Sequence, residues 1–351
     1  MVSNIEKVLD EIRRNHQLRA EFIRQLAAFE TNVEWTSDVR EQITGPLANA
    51  VFAEGEVLRK RLSNGLQFEF LYRSKIARDF VLSNPSEPDH VWEPQTTKLI
   101  LDVSRSAKQL VIGGAYFGDH AVLVAASVAE NGGVVHAFEP NDEQRAMLTR
   151  NAEINKLGNL VTCHEGLWSN SSSRLKLVGY DSVATSELIS SNQDGISTTT
   201  IADYLGAAGI GNVDVIVLDL EGAELSALAG AQVLLRKTAA EAPIIVFEVH
   251  RTYVDWTDGL EATDIGQLLV ECGYKLFAIR DLQSNYDMSG RPVELIPARE
   301  VYLDGPPHGF NMVAVKDVSI FDERSYRFVS GVSPKLLRHK DRRLHHPAGG
   351  F

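Results

Sequence analysis

Along the chain, apolar residues first recur at helical spacing and later occur in short runs typical of strands. Ile5, Val8 and Ile12 share one face of a helix, and residues 18–29 repeat this spacing. The pattern predicts a helical appendage over residues 1–56. Its apolar stripe has to be covered by the rest of the chain or by a second copy, so a homodimer through these helices is one expectation.

The next segment alternates apolar and polar residues over 57–72, on either side of Asn64-Gly65. Asn-Gly between two alternating runs is the strongest short hairpin pattern. Residues 57–90 are therefore predicted to be a hairpin and a lead-in to the main domain.

From about residue 95, short apolar runs alternate with amphipathic stretches, which is the pattern of a parallel sheet with helices on both faces. The predicted strands are 109–113, 134–139, 160–165, 213–220, 243–249, 274–279 and, last, 310–315. The predicted helices cover about 119–130, 141–156, 222–236 and 259–272. We expect one α/β domain over residues 91–318.

Two segments lack such a pattern. Residues 170–200 are rich in serine and threonine and are predicted to form a loop or a small hairpin excursion. Residues 319–351 are predicted to be a C-terminal tail. The basic run that begins at Ser333 is expected to be a solvated end rather than a binding arm.

Composition and charge narrow the functional class. Of the 351 residues, 44% are hydrophobic and 23% are charged, which is globular composition, and the net charge of −12 disfavours nucleic acid and anionic membranes as partners. Cys163 and Cys272 have no metal-type spacing, and no run of about 18 apolar residues occurs. We expect a soluble, cytoplasmic protein that acts on a small molecule.

Glycines mark a binding loop where the first predicted strand meets its helix. Gly113, Gly114 and Gly118 allow a tight turn and a close approach to a ligand, although their spacing is not that of the dinucleotide fingerprint. Glu139 ends the second strand, 21 residues after Gly118, where an acidic side chain accepts hydrogen bonds from ribose hydroxyls in nucleoside-binding folds. A charge at a helix N-terminus is the alternative for Glu139. The two features together predict a nucleoside site.

The third predicted strand ends at the same rim, with Glu165, Gly166, Leu167 and Trp168. An adenine base needs an apolar wall and a polar neighbour there. Leu167 or Trp168 is a candidate for the wall, and ordinary packing at the rim is the alternative for each residue.

Five motifs lie along the α/β region. They are Trp92-Glu93-Pro94, Gly114-Ala115-Tyr116-Phe117-Gly118-Asp119-His120, Phe138-Glu139-Pro140, Asp219-Leu220-Glu221-Gly222-Ala223-Glu224 and Pro243-Ile244-Ile245-Val246-Phe247-Glu248. Together they resemble the FkbM family of S-adenosylmethionine-dependent methyltransferases over about residues 90–315. The resemblance implies a Rossmann-like class I methyltransferase sheet, mostly parallel, with helices on both faces and an antiparallel last strand.

The resemblance also implies S-adenosylmethionine as the cofactor. The candidate cofactor-binding residues are Glu93, Thr96, Gly114, Ala115, Tyr116, Phe117, Gly118, Asp119, His120, Glu139, Pro140, Glu165, Gly166, Leu167 and Asp219. The chain has Ile112, Tyr116 and Val217 where many members carry aspartate, asparagine and lysine. We therefore expect the amino-acid end of the cofactor to be held differently, by partners among Glu93, Thr96, Asp119 and His120.

Candidate catalytic residues follow the fourth and fifth strands. Asp219 ends the fourth strand, Glu248 ends the fifth, and His250 lies two residues further on. Because the carboxyl ends of adjacent parallel strands meet at one edge of the sheet, we expect these three side chains to form one acceptor-activating cluster. The cluster could hold Mg²⁺, or Asp219 or His250 could remove the acceptor's proton as a base. A structural role is the third alternative.

We expect O-methylation of a hydroxyl on a sugar or a small natural product. The alternatives are N- or C-methylation on the same scaffold, a catalytically silent cofactor-binding protein and a nicotinamide oxidoreductase. Glu221 and Glu224 suit the start of the next helix, where the helix dipole favours carboxylates. His308, in a late loop, is expected to lie at the surface.

Overall fold

A computed structural model describes residues 4–32, 35–190, 193–304, 309–339 and 341. Its α-helices are α1 (Asn4–Arg14), α2 (His16–Thr31), α3 (Gly45–Asn49), α4 (Lys75–Val81), α5 (Pro94–Val103), α6 (Ala121–Val128), α7 (Asp142–Ile154), α8 (Ile201–Ala207), α9 (Glu224–Ala229), α10 (Gln232–Leu235) and α11 (Asp264–Glu271). A π-helical turn (Arg40–Thr44) precedes α3. Among the described residues, no helix combines the length and apolar character needed to cross a membrane.

The strands form a large central sheet and two smaller ones. They are β1 (Glu56–Arg61), β2 (Gln67–Tyr72), β3 (Gln109–Gly113), β4 (Val134–Phe138), β5 (Leu160–Cys163), β6 (Gly166–Leu167), β7 (Arg174–Val178), β8 (Thr185–Ile189), β9 (Ile196–Thr199), β10 (Val215–Leu218), β11 (Ile244–His250), β12 (Lys275–Arg280), β13 (Val293–Pro297), β14 (Gly309–Val315) and β15 (Tyr326–Phe328). The central sheet has nine strands in the order β15-β13-β12-β14-β11-β10-β3-β4-β5.

The strand directions are those of a Rossmann-like methyltransferase sheet. The five strands from β5 to β11 are parallel to their neighbours. The strand β14 lies antiparallel between β11 and β12, as predicted for the last strand, residues 310–315. Beyond β12, the unpredicted strands β13 and β15 extend this edge of the sheet.

Both faces of the central sheet are buried, which explains its continuous apolar strands. Along β3, Val111 faces one core while its neighbours Leu110 and Ile112 face the other. The adjacent strand β10 follows the same alternation, with Ile216 in the core that contains Val111 and Val217 in the core that contains Ile112. Helices and the β1–β2 hairpin close the two faces.

The hairpin packs on the sheet domain through aromatic rings. The ring of Phe70 stacks on Phe117 with centroids 5.6 Å apart, and Phe68 meets Phe80 edge-on at 6.0 Å. The Asn151 side chain accepts from the Glu69 N–H at 2.7 Å and donates to the Glu69 carbonyl at 2.9 Å. The hairpin is therefore part of the domain that carries the glycine loop.

A buried arginine, Arg40, links the N-terminal helices to the domain. Arg40 donates to both carboxylate oxygens of Glu30, with the shortest N–O distance 2.5 Å, and to the Ser284 hydroxyl at 2.8 Å. Ile12 and Ile23 pack in a small core with residues of α3 and α4. The inward apolar positions of the predicted appendage are thus covered by its own chain, although Ile5 and Val8 are exposed.

The predicted helix 222–236 is interrupted. It consists of α9 and α10, and the break falls beside Gly230, where a Cβ atom would lie 2.3 Å from the Trp168 carbonyl oxygen. This close backbone approach prevents one continuous helix. The predicted helix 259–272 begins later, at Asp264, because the Thr263 hydroxyl caps it by accepting from the Gly266 N–H.

Two segments are more ordered than their sequence patterns predict. The excursion 170–200 contains β7, β8 and β9, which pair with one another and with β6. Within the predicted tail, β15 joins the sheet. Ser333, Leu336 and His339 are buried because Leu336 N–H donates to the Asp281 carbonyl at 2.7 Å and its side chain packs in an apolar cluster. His308 and residues 342–351 lie outside the described part of the chain.

Candidate active site

The glycine loop after β3 makes contacts that side chains would block. Gly114 has a left-handed φ of 74°, and a Cβ there would lie 1.7 Å from the Asp219 carbonyl oxygen. Gly118, with φ 98°, lies against Val122 and Leu148. Tyr116 is also left-handed, at φ 48°, which is strained for a bulky residue. The loop is thus held against the end of β10.

Glu139 fastens the loop from the neighbouring strand end. Its two carboxylate oxygens accept from the backbone N–H groups of Tyr116 and Asn141, each at 2.8 Å. Burial raises the pKa of Glu139 to about 7, against the lowering effect of these two hydrogen bonds and of Arg145. Since each carboxylate oxygen has two acceptor positions, Glu139 can accept further hydrogen bonds from a ligand.

A cavity of about 90 Å³, here named the first cavity, lies between this loop and the β7–β8 hairpin. Seven of the predicted cofactor residues line it, namely Gly114, Tyr116, Asp119, His120, Glu139, Pro140 and Asp219. The hairpin contributes Leu177, Asp181, Ser182, Ala184 and Ser186. Ligand cavities for molecules of cofactor size have volumes of about 300 Å³ or more, so the first cavity is smaller than such a ligand needs.

Two buried acceptor atoms at the first cavity have no protein donor. Oε1 of Gln144 and Oδ2 of Asp181 accept no hydrogen bond from any residue that the structure describes. The other ends of these side chains hold each other, since Gln144 Nε2 donates to Asp181 Oδ1 at 2.7 Å. Because unsatisfied buried acceptors are costly, the cavity suits a ligand with amino or hydroxyl donors. Sequence reasoning missed both residues, which lie outside the five motifs.

Some predicted cofactor residues serve the loop through backbone or packing. The Ala115 N–H donates to the Phe138 carbonyl, and the Phe117 ring lies in the core against Phe70. Neither side chain lines the first cavity. The ring of Phe117 is buried because the hairpin β1–β2 covers the outer side of the loop.

The residues that follow β5, 165–168, do not line the first cavity either. Gly166 and Leu167 form β6 and pair with β9, while Leu167 packs on Gly113. Glu165 lies beside His164 with an O–N distance of 3.7 Å. Leu167 and Trp168, the residues expected to form an apolar wall, do not line the first cavity, whereas Leu177 and Ala184 of the hairpin do.

Glu93 and Thr96 lie at the start of α5 and do not line the first cavity. Glu93 accepts from the Asn311 side-chain amide at 2.5 Å, and Thr96 N–H donates to Asp281 at 2.7 Å. Burial raises the pKa of Glu93 well above its usual range, and the nearby charges of Asp281 and Asp219 raise it further. Asn311 and Asp281 were not predicted, because only the fold brings β14 and the end of β12 to α5.

Asp119 and His120 are buried at the inner end of the loop. Burial raises the pKa of Asp119 to about 7 and lowers that of His120 to about 4. The imidazole Nδ1 of His120 lies 3.2 Å from the Thr97 hydroxyl, which itself donates to the Trp92 carbonyl at 2.7 Å. A neutral His120 therefore lies beside the position that the loop offers to a ligand.

Three carboxylates meet where β10 and β11 end. One oxygen each from Asp219, Glu224 and Glu248 lies within 4.8 Å of the other two, and these residues are here named the carboxylate cluster. Burial raises the pKa of Glu224 to about 7 and that of Glu248 well above its usual range. The surrounding protein and the charge of Asp119 also raise the pKa of Asp219, although its side chain is exposed to solvent. Neighbouring carboxylates add to each shift. The cluster can accept a proton or bind a cation.

Glu224 also has a structural role, because it accepts from the N–H groups of Leu220 at 2.6 Å and Gly222 at 3.1 Å.

His250 lies close to Glu248 but outside this cluster. A Cβ on Gly309 would lie 1.9 Å from Glu248 Oε1 and 2.9 Å from His250 Cδ2. Of the predicted trio, the structure thus places Asp219 and Glu248 with oxygens within 4.8 Å of each other and His250 beside Glu248.

Lys335 approaches the site from the C-terminal segment and was not predicted to belong to it. It is buried, and its amine donates to Gln283 Oε1. Burial lowers its pKa to about 7, and the charge of Lys75 lowers it further, while Glu248 and Glu93 raise it. No sequence pattern indicates this role, because it depends on the pairing of residues 334–336 with Asp281.

The sheet with its antiparallel strand β14, the glycine loop after the first parallel strand and the acidic residue after the second define a class I methyltransferase. The sequence model of the methyltransferase FkbM domain matches residues 113–276. Residues 113–276 of the chain are thus identified as a methyltransferase FkbM domain.

Solved structures similar to the chain include precorrin-6y C5,15-methyltransferase from Geobacter metallireducens GS-15, at 13% identity and a TM-score of 0.36, over 63% of this chain and 87% of that chain. Methyltransferase FkbM from Methylobacillus flagellatus KT has 15% identity and a TM-score of 0.34, over 85% of this chain and 59% of that chain. A putative O-methyltransferase from Klebsiella pneumoniae has 12% identity and a TM-score of 0.36, over 64% and 79% respectively. No curated protein matches the chain.

Proposed function

We propose that S-adenosylmethionine binds in the first cavity and is the methyl donor. The FkbM domain match supports this proposal. The unpaired acceptor atoms of Gln144 and Asp181 support it too, because they suit a ligand that carries hydrogen-bond donors. Ribose hydroxyls can donate to Glu139, and the adenine amino group can donate to Gln144 Oε1 or Asp181 Oδ2. The sulfonium end then points toward Asp119, His120 and Asp219.

We further propose O-methylation of a sugar or a small natural product. Methyl transfer is an in-line displacement in which the acceptor oxygen bonds to the methyl carbon as the carbon–sulfur bond breaks. The acceptor hydroxyl has to lose its proton during this step. The observation that carries the proposal is the carboxylate cluster, whose members have pKa values raised toward neutrality. A carboxylate of this kind is matched to proton removal near pH 7.

Within the cluster, Asp219 is the preferred base. It lines the first cavity, and both oxygens of Glu224 are engaged by backbone N–H groups. Glu248 shares the proton or fixes the hydroxyl. His250 accepts from the Thr252 N–H through Nδ1 at 3.0 Å, so only its Nε2 remains for an acceptor.

A divalent cation is the second candidate for the cluster. Three carboxylate oxygens within 4.8 Å are a ligand set that suits Mg²⁺. Bound there, the cation would lower the pKa of an acceptor hydroxyl. In that case Asp219, Glu224 and Glu248 would be ligands, and His250 would not.

The proposal is tested by incubating the protein with methyl-labelled S-adenosylmethionine and panels of polyhydroxy compounds and matched amines. We expect label in a hydroxyl-containing product together with stoichiometric S-adenosylhomocysteine. Asp219→Asn serves as the inactive comparison, and Asp264→Asn, at the start of α11, serves as the matched control. Label that enters only the amines would contradict O-methylation.

A further inference from the structure

A second cavity, of about 370 Å³, is lined by Lys335 and Gln283 among other residues and shares no lining residue with the first cavity. It is here named the second cavity. Its walls come from the π-helical turn, Lys75, residues 282–286 and residues 335–339. The N-terminal helices and the C-terminal segment, which lie outside the match to the FkbM domain, therefore build this cavity together.

A chain of contacts connects the second cavity to the carboxylate cluster. The Lys335 amine donates to Gln283 Oε1, and Gln283 Nε2 donates to the Gly309 carbonyl at 2.7 Å. Gly309 in turn packs on the carboxylate of Glu248. A molecule in the second cavity thus has Lys335 next to it and the carboxylate cluster beyond.

The fixed charges of the second cavity are unevenly paired. The buried Arg40 forms ion pairs with Glu30 and Asp79. The Ser284 hydroxyl accepts from Arg40 and donates to Asp79. Lys75 lies 3.2 Å from Glu41. Lys335, by contrast, has no carboxylate within ion-pair distance among the described residues, and its hydrogen-bond partner is the neutral Gln283.

Lys75 and Lys335 both line the second cavity. The charge of Lys75 lowers the pKa of Lys335, which means that the two amines repel each other when both are protonated. The backbone holds Lys335 in this position, because Asp281 N–H donates to the Pro334 carbonyl at 2.9 Å and Leu336 N–H donates to the Asp281 carbonyl. An anion between two such amines removes the repulsion.

We propose that the second cavity holds the methyl acceptor and that this acceptor carries a carboxylate or a phosphate group, which binds between Lys75 and Lys335. This inference rests on the proposed function. The acidic group of the acceptor lies at the two lysines, and its hydroxyl points past Gly309 to the carboxylate cluster. The substrate class is therefore a hydroxylated acid, such as a sugar acid or a sugar phosphate, and a neutral polyol is a poor substrate.

The test uses pyridoxal phosphate, an anionic aldehyde, with pyridoxal as its uncharged counterpart. The Lys335 amine attacks the aldehyde carbon, water leaves, and borohydride reduces the imine to a stable adduct that peptide mass spectrometry locates. The full-length chain is used, without S-adenosylmethionine. Lys275, exposed at the opposite end of β12, is the internal reference for a surface lysine.

We expect pyridoxal phosphate to label Lys335 about ten times more than pyridoxal does, because a charge-assisted contact contributes about 1.4 kcal/mol. Because pyridoxal closes to an internal hemiacetal and is intrinsically less reactive than pyridoxal phosphate, the ratio at Lys275 supplies the baseline against which the ratio at Lys335 is expressed. In Lys75→Met, whose exposed side chain is not needed for folding, the ratio at Lys335 should fall toward that at Lys275. Inorganic phosphate should compete with the labelling in the wild-type protein.

A ratio at Lys335 equal to that at Lys275, or no labelling at all, would overturn the anion site. A high ratio that persists in Lys75→Met would overturn the pairing of the two lysines. Either result leaves S-adenosylmethionine binding unaffected, so a calorimetric titration of the cofactor on the same sample separates failure of this inference from failure of the proposed function.

Discussion

The Glu139 carboxylate and the Tyr116 N–H are 2.8 Å apart, so the acidic residue at the end of β4 holds the glycine loop in the left-handed conformation that Tyr116 adopts. Glu139 therefore has two tasks. It shapes the loop and it presents acceptor positions to the ribose.

Replacing Glu139 by alanine should weaken S-adenosylmethionine binding by about 1–3 kcal/mol, the cost of losing charge-assisted hydrogen bonds. Equilibrium dialysis with labelled cofactor measures the change. Glu153→Ala, an exposed substitution on α7, should leave the affinity as it is. Unchanged affinity in a folded Glu139→Ala variant would contradict the assignment.

Asp219→Asn and Glu248→Gln should each reduce kcat by about 10²–10⁴, the usual contribution of a general base. Both substitutions preserve shape and remove charge. With Asp219 as the base, turnover should resist EDTA. If chelation instead abolishes turnover while cofactor binding persists, the cation mechanism holds. Near-wild-type turnover in both variants would remove the carboxylate cluster from the reaction.

Thermal stability of the free protein should fall as the pH rises from about 4 to about 7. Asp119, Glu139 and Glu224 have pKa values raised to about 7 in the folded state, mainly by burial. The folded protein therefore binds more protons than the unfolded chain over this window, and raising the pH favours unfolding.

In the same experiment, Glu248→Gln should raise the melting temperature at neutral pH and flatten its dependence on pH. Differential scanning fluorimetry across the window provides both quantities. The related substitution Glu187→Gln, on the exposed side of β8, is the control. A melting temperature that rises with pH over this range would show that folding does not raise the pKa values of these carboxylates.

Gly309→Ala should reduce kcat by about 10², because displacement of a reacting group by about 1 Å has an effect of this size. A Cβ at this position overlaps Glu248 Oε1, so the carboxylate has to move. Gly206→Ala, in α8, meets no atom within 4 Å and should keep full activity. Steady-state kinetics on the two variants compare them directly, and an active Gly309→Ala would show that the position of Glu248 is not critical.

The sequence predicted those parts of the fold that local patterns encode. The buried parallel strands β3, β4, β10 and β11 have apolar runs that end in glycine or acidic residues, and these ends positioned Glu139, Asp219 and Glu248 correctly at one edge of the sheet.

What the sequence did not reveal depends on contacts between distant segments. Lys335 enters the site because residues 334–336 pair with Asp281, and Asn311 reaches Glu93 across 218 positions. The serine- and threonine-rich excursion lacks strong apolar alternation because its strands β7 and β8 bury almost no side chains, and Leu188 itself lies largely in solvent. The pattern of apolar residues within one helix or strand does not indicate which distant segment that element contacts.

Calorimetric titration of the wild-type protein with S-adenosylhomocysteine tests the central claim most directly, since it requires no acceptor. We expect one site per chain with micromolar affinity, a binding free energy of about −8 kcal/mol, and no heat with NAD⁺ under the same conditions. A folded protein that gives no heat with either S-adenosylhomocysteine or S-adenosylmethionine would contradict it.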